Sequence, residues 1–212
     1  MPGVFAPRRR QVGRRVIAGP ERFAAALAAI DAANAEDPDL EEGEPKALRY
    51  GRRMSAMLAR FAADASEPVR LAARAQHIRR WMIPRQRFPL DRPGYLRWRA
   101  ELYRFHAEVA ADILAGAGYD AETIARVQAA VGKKDRKSNA EAQLVEDVAA
   151  LVFLEHGLAG FLAAHPEYDE EKWGDILGKT WRKMSGEAQQ FVLAGKIGLP
   201  AAALPLIRRV AA

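Results

Sequence analysis

Proline and glycine in this chain stand between stretches of helical periodicity, not inside them, which leaves little room for anything but packed helices. Pro20 opens PERFAAALAAIDAANAED, where Phe23, Leu27 and Ile30 recur at helical spacing and form one apolar face. The acidic stretch from Asp31 to Glu44 reads as a solvated loop. Pro45 opens a second helix with Tyr50, Met54, Met57 and Phe61 on one stripe. Ser66 caps a third, and Pro68 sits in its first turn, where a missing N–H costs nothing. That helix turns Leu71, Ala75, Ile78 and Met82 inward and ends at Pro84.

After the Pro-rich loop 84–94, a long helix runs from about Tyr95 to Gly116. Asp120 caps a fifth helix and Asn139 a sixth. The sixth reads as buried, with Leu144, Val148, Leu151, Val152 and Glu155 along it. Asp169 starts another helix ending in KTWRKMS, Ser185 reads as a helix cap, and a short helix closes the chain. No strand pattern of useful length and no internal repeat occurs. The expected fold class is all-α, a single-domain bundle of about eight to ten helices.

Length and composition agree with one domain. Half of the 212 residues are apolar, and alanine supplies much of that share, so the helices should pack closely. No apolar run of about 18 residues occurs, so no membrane span is expected. Cysteine is absent, which excludes disulfides, a thiolate nucleophile and Cys-ligated metal, and fits a cytoplasmic setting. The net charge of +6 is unevenly spread: residues 1–19 hold five arginines and no acid, leaving 28 basic against 27 acidic residues elsewhere. Residues 1–19 are therefore expected to be a basic, disordered leader, and 20–212 the helical domain. Basic arms alone bind nucleic acid weakly and non-specifically, so nucleic acid is not the favoured partner.

Few side chains here can do chemistry. His77 lies in AARAQHIRRW and His106 in RFHAE, with Arg99 and Tyr103 on the same helical face as His106. Asp147 sits among apolar neighbours, where a carboxylate needs a partner. Two imidazoles and one carboxylate suit a divalent first-row metal, so His77, His106 and Asp147 are candidate ligands. The plainer alternative makes both histidines hydrogen-bonded core residues and pairs Asp147 with an arginine. A second feature is cationic: Arg53, Arg80, Arg85, Arg99, Lys133, Lys134, Arg182 and Lys183 lie near turns or helix ends, several beside Trp81, Trp98 or Trp181. Such groups can cradle a phosphate and a stacked base, although Arg-rich faces are usually solvated and Trp is usually core. No Walker loop, Rossmann fingerprint or HExxH is present.

The segments PERFAAALAAIDAANAEDP, LRYGRRM, LAARAQHIRRWMIPR, GYLRWR, FHAEVAADIL, EDVAALVFLE and ILGKTWRKMS resemble the domain-of-unknown-function 4202 family, from about Phe23 to about Ser185. A more distant likeness is to the HD superfamily of helical metal-dependent phosphohydrolases. In it FHAEVAADIL looks like the downstream His helix and VEDVAAL like the final Asp segment. The His-Asp pair is replaced by Gln76-His77, Tyr50 or Arg53 stands at the first His position, and GKKDRK replaces a His-bearing turn.

The resemblance implies an HD-like bundle that binds a phosphorylated small molecule or nucleotide, and in its enzymatic version hydrolyses it. There one divalent metal would sit on His77, His106 and Asp147. Arg53, Arg80, Arg99, Lys133 and Lys134 would bind the phosphate, with Glu146 or Glu108 as the base. The alternatives are a non-catalytic ligand-binding or regulatory module on a degenerate HD scaffold, and an RNA-associated protein.

Overall fold

The computed structural model describes residues 19–136 and 138–211. The expected leader lies outside these residues except for Gly19, which opens the first helix. Among the described residues the helices are α1 (Gly19–Ala35), α2 (Lys46–Phe61), α3 (Glu67–Arg74), α4 (Arg92–Gly116), α5 (Ala121–Val131), α6 (Ala140–Val152), α7 (Leu158–Ala164), α8 (Glu170–Trp181), α9 (Gly186–Leu193) and α10 (Leu204–Ala211). The fold is all-α, as the periodicity requires.

Caps set the helix starts. Asp91, Asp120, Asn139, Asp169 and Ser185 each accept a backbone N–H from the first turn that follows. Ser66 precedes α3 as expected but gives its hydroxyl to Glu141 instead, at 2.8 Å.

The core centres on α6, whose Val145, Val148 and Leu151 are fully buried. Helices α2, α3, α5 and α9 pack around it, α1 lies across α2, α3 and α4, and α10 packs on α8. A π turn, Phe153–Gly157, joins α6 to α7. The run Ala140–Ala164 is long and apolar enough to cross a membrane by composition. Its α6 half is the wrapped centre of this helical domain.

Two expectations need correction. The stretch from Asp31 to Glu44 is not a solvated loop. Its first residues finish α1, and a two-residue hairpin follows, β1 (Leu40–Glu41) against β2 (Glu44–Pro45). The hairpin turns on Glu42 and Gly43, both at positive φ, 52° and 80°. Asp37, also in this stretch, is buried. It accepts from Ala47 N at 2.9 Å, capping α2 where Pro45 cannot.

The third helix does not reach Pro84. It stops at Arg74, and residues 75–79 form tight turns before a 3-10 turn at Arg80–Met82. Ala75 and Ile78 are fully buried as the periodicity suggests, but Met82 is 51% exposed. The cause is tertiary. Arg74 forks onto Asp31 of α1 at 2.6 and 2.5 Å, and Asn34 accepts from Arg79 N at 3.2 Å. Arg79 thereby takes a left-handed backbone, φ 49°. Gly51 lets α2 approach this corner, since a Cβ there would lie 2.9 Å from the Arg74 carbonyl oxygen.

Candidate anion site between the 75–80 turn, α4 and α5

The turn after α3 is pinned to α1 at both ends, and it carries Gln76 and His77. The 3-10 turn behind it presents Arg80 and Trp81. From α4, residues 99, 103 and 106 share one face, so Arg99, Tyr103 and His106 look the same way. Just past the end of α5 comes Lys133. The last turn of that helix closes with Lys133 N on Ala130 O (3.2 Å) and Lys134 N on Ala129 O (2.9 Å). That paired pattern normally places glycine in the left-handed position. Here Gly132 keeps a right-handed backbone and Lys133 takes φ 54°. A side chain in that region costs about 1–2 kcal/mol, and it aims the lysine at Glu146 of α6, its ion-pair partner.

Both imidazoles are neutral. The Nδ1 of His106 must donate to the Ile78 carbonyl at 2.7 Å, which leaves Nε2 bare, buried and without a partner. Burial pushes this histidine down to about 4; the Ile78 carbonyl opposes the shift, and Arg80 and Lys133 add to it. His77 stacks on Tyr50, with ring centroids 4.1 Å apart and 14° between planes, and lies 5.9 Å from the His106 ring. Burial lowers it well below the ordinary histidine range, reinforced by Arg80, His106, Lys133 and Arg99. Gln76 is buried with neither amide atom paired.

The cations around them outnumber the acids. The Arg80 guanidinium lies over Trp98 at 4.7 Å and has no carboxylate partner among the described residues. Burial lowers its pKa. Arg99 donates to the Tyr95 hydroxyl at 3.0 Å and to the Tyr103 hydroxyl, again with no acid partner among the described residues. Lys133 and Glu146 neutralise each other. Burial alone would raise the Glu146 carboxyl, but Lys133, Lys183 and Arg136 bring it below its ordinary value. Burial lowers Lys133, against the pull of Glu146. Unpaired cations beside neutral imidazoles make a field that lacks an anion.

The cluster opens onto two cavities. One, of about 360 Å³, is lined by Tyr50, His77, Arg80, Trp81, Arg85 and Trp98, together with Asp37, Asp39, Glu41 and Lys46. The other, of about 530 Å³, lies between α4 and α8 and is lined by Tyr95, Arg99, Tyr103, Lys179, Thr180 and Lys183. These are ordinary sizes for small-molecule sites.

The expected residues divide. His77, His106, Arg80, Arg99, Lys133 and Glu146 come together. Glu108 does not: two residues past His106 it faces the other side of α4, exposed and paired with Arg104 at 3.1 Å. Lys134 is exposed to solvent. Arg53 is held by Glu41 at 2.6 Å, its charge already answered. Asp147 pairs with neither a histidine nor an arginine. Its carboxylate accepts from Ser185 N and Gln143 Nε2, both at 2.8 Å, and lines a separate cavity beside α9. The reading missed Tyr95 and the reach of Lys183. The signal was the spacing of four from Tyr95 to Arg99 to Tyr103, one continuous strip of α4.

A family model described as Domain of unknown function (DUF4202) matches residues 24–207. The chain belongs to the DUF4202 family. Neither the curated proteins nor the solved structures give a match to this DUF4202 chain. The metal that the HD likeness implies does not fit the residues of this DUF4202 site. Among the described residues no three His, Asp or Glu side chains are grouped to hold one. A divalent cation beside the two imidazoles would also face Arg80, Arg99 and Lys133.

Proposed function

We propose that this protein binds a phosphorylated small molecule, with the phosphate seated against Arg80 and His77. The observation that carries this reading is the Arg80 guanidinium, with no acid partner among the described residues, beside the neutral His77 imidazole in a Trp-lined cavity. A guanidinium removed from water needs a counter-charge, and a phosphate oxygen supplies it with strong, directional hydrogen bonds. Trp81 and Trp98 offer faces for a nucleotide base. A cytoplasmic setting, where phosphorylated metabolites are held, suits this role.

Binding is better supported than hydrolysis. The one carboxylate of the expected pair inside the cluster, Glu146, is engaged by Lys133. The test is thermal unfolding and calorimetry of the full chain with inorganic phosphate and with adenosine monophosphate. Phosphate should raise the Tm of the parent protein by mass action, and Arg80→Gln should remove that shift. A Tm of the parent protein insensitive to millimolar concentrations of both ligands would overturn the reading.

A further inference from the structure

Cations and aromatic rings alternate without a break along the start of α4. The Arg80 guanidinium lies 4.7 Å from the Trp98 ring centre, and Arg85 lies 5.9 Å from Trp98 and 6.0 Å from Tyr95. Arg99 is 5.7 Å from Tyr95 and 5.2 Å from Tyr103, and Lys133 is 5.5 Å from Tyr103. The ladder begins in the Trp-lined cavity and passes Tyr95, Arg99 and Tyr103 of the α4–α8 cavity, which Lys183 also lines with no ion-pair partner among the described residues. Arg85 is likewise unanswered by any acid among those residues; it donates to the Phe88 and Asp91 carbonyls. A single phosphate cannot reach Arg80 and Lys183 at once, because they line different cavities.

Resting on the phosphate reading above, we infer that the ligand is an oligophosphate chain, spanning from Arg80 past Arg99 to Lys183. Each phosphoryl group adds negative charge, and Arg80, Arg85, Arg99 and Lys183 supply positive charge that no ion pair answers among the described residues. Arg80, Arg85 and Arg99 already rest against ring faces, so less side-chain freedom is lost when the chain binds. Arg85 lines the Trp-lined cavity and lies 6.0 Å from the ring of Tyr95, which lines the other cavity, so this contact joins the two. The chain can be inorganic or the tail of a nucleoside triphosphate. The Trp-lined cavity distinguishes these, since only the second brings a base.

The decisive experiment compares orthophosphate, tripolyphosphate and adenosine triphosphate by calorimetry on the parent protein and on Lys183→Gln. The Lys183 side chain makes no hydrogen bond that the fold relies on; its carbonyl, which accepts from Arg136 and Gln143, is retained. The parent should bind tripolyphosphate at least tenfold more tightly than orthophosphate. The variant should lose about tenfold for tripolyphosphate while orthophosphate affinity stays unchanged. Tighter binding of adenosine triphosphate than of tripolyphosphate identifies a nucleotide; equal binding identifies the inorganic chain. Equal affinity for orthophosphate and tripolyphosphate, or a variant that binds tripolyphosphate as the parent does, overturns the two-cavity inference and leaves the single-phosphate reading standing. Absence of binding to all three in the parent removes both.

Discussion

The Nδ1 of His106 donates to the main-chain oxygen of Ile78 across 2.7 Å, tying the middle of α4 to the turn that carries His77. His106 is wholly buried. His106→Ala therefore leaves both a cavity and an unanswered carbonyl, and should lower stability by about 2–4 kcal/mol with helical content retained. Urea unfolding followed by circular dichroism measures it. A loss below half a kcal/mol would mean the tie carries no weight.

Stability should fall with acid in a window set by the same residue. In the folded protein His106 lies at about 4, and His77 is lowered too. In the unfolded chain both return to about 6.5. Between those values the unfolded chain binds more protons, so stability is complete above pH 6.5 and drains away toward pH 4. His106 alone contributes roughly 3 kcal/mol across the window. Urea midpoints at pH 7, 6 and 5 should drop steeply for the parent protein and less for His106→Gln. Parallel curves would contradict the assignment.

Lys133 and Glu146 form a buried pair in which each justifies the other. Lys133→Met should cost about 3–5 kcal/mol by stranding the carboxylate. Adding Glu146→Gln should return most of that loss. A double-mutant cycle reads the coupling directly; additive losses would mean the two groups act separately.

Asp147 serves the fold. Its carboxylate takes the Ser185 N–H just ahead of α9. Asp147→Ala should destabilise by about 1–3 kcal/mol and leave phosphate affinity unchanged. Loss of phosphate binding at full stability would return Asp147 to the site.

Much of the bundle was legible because helix punctuation is local. Asp120, Asn139, Asp169 and Ser185 cap where they stand, and α6 is buried as its apolar run requires. The shared face of Arg99, Tyr103 and His106 was legible too, since one helix fixes their relative directions. The end of α3 was not. Its pattern continues past Arg74, and the chain turns there because Asp31 and Asn34, more than forty residues earlier, hold Arg74 and Arg79.

The amino-acid order by itself determined the helices, their caps and which residues could carry charge into the interior, because those follow from contacts within a few residues. Tertiary structure alone decided which charges meet. It set Lys133 on Glu146, gave Asp147 to the α9 cap and turned Glu108 to water. The reason is physical: a buried charge is settled by whatever partner the packing brings within hydrogen-bonding distance, and that partner lies on another helix.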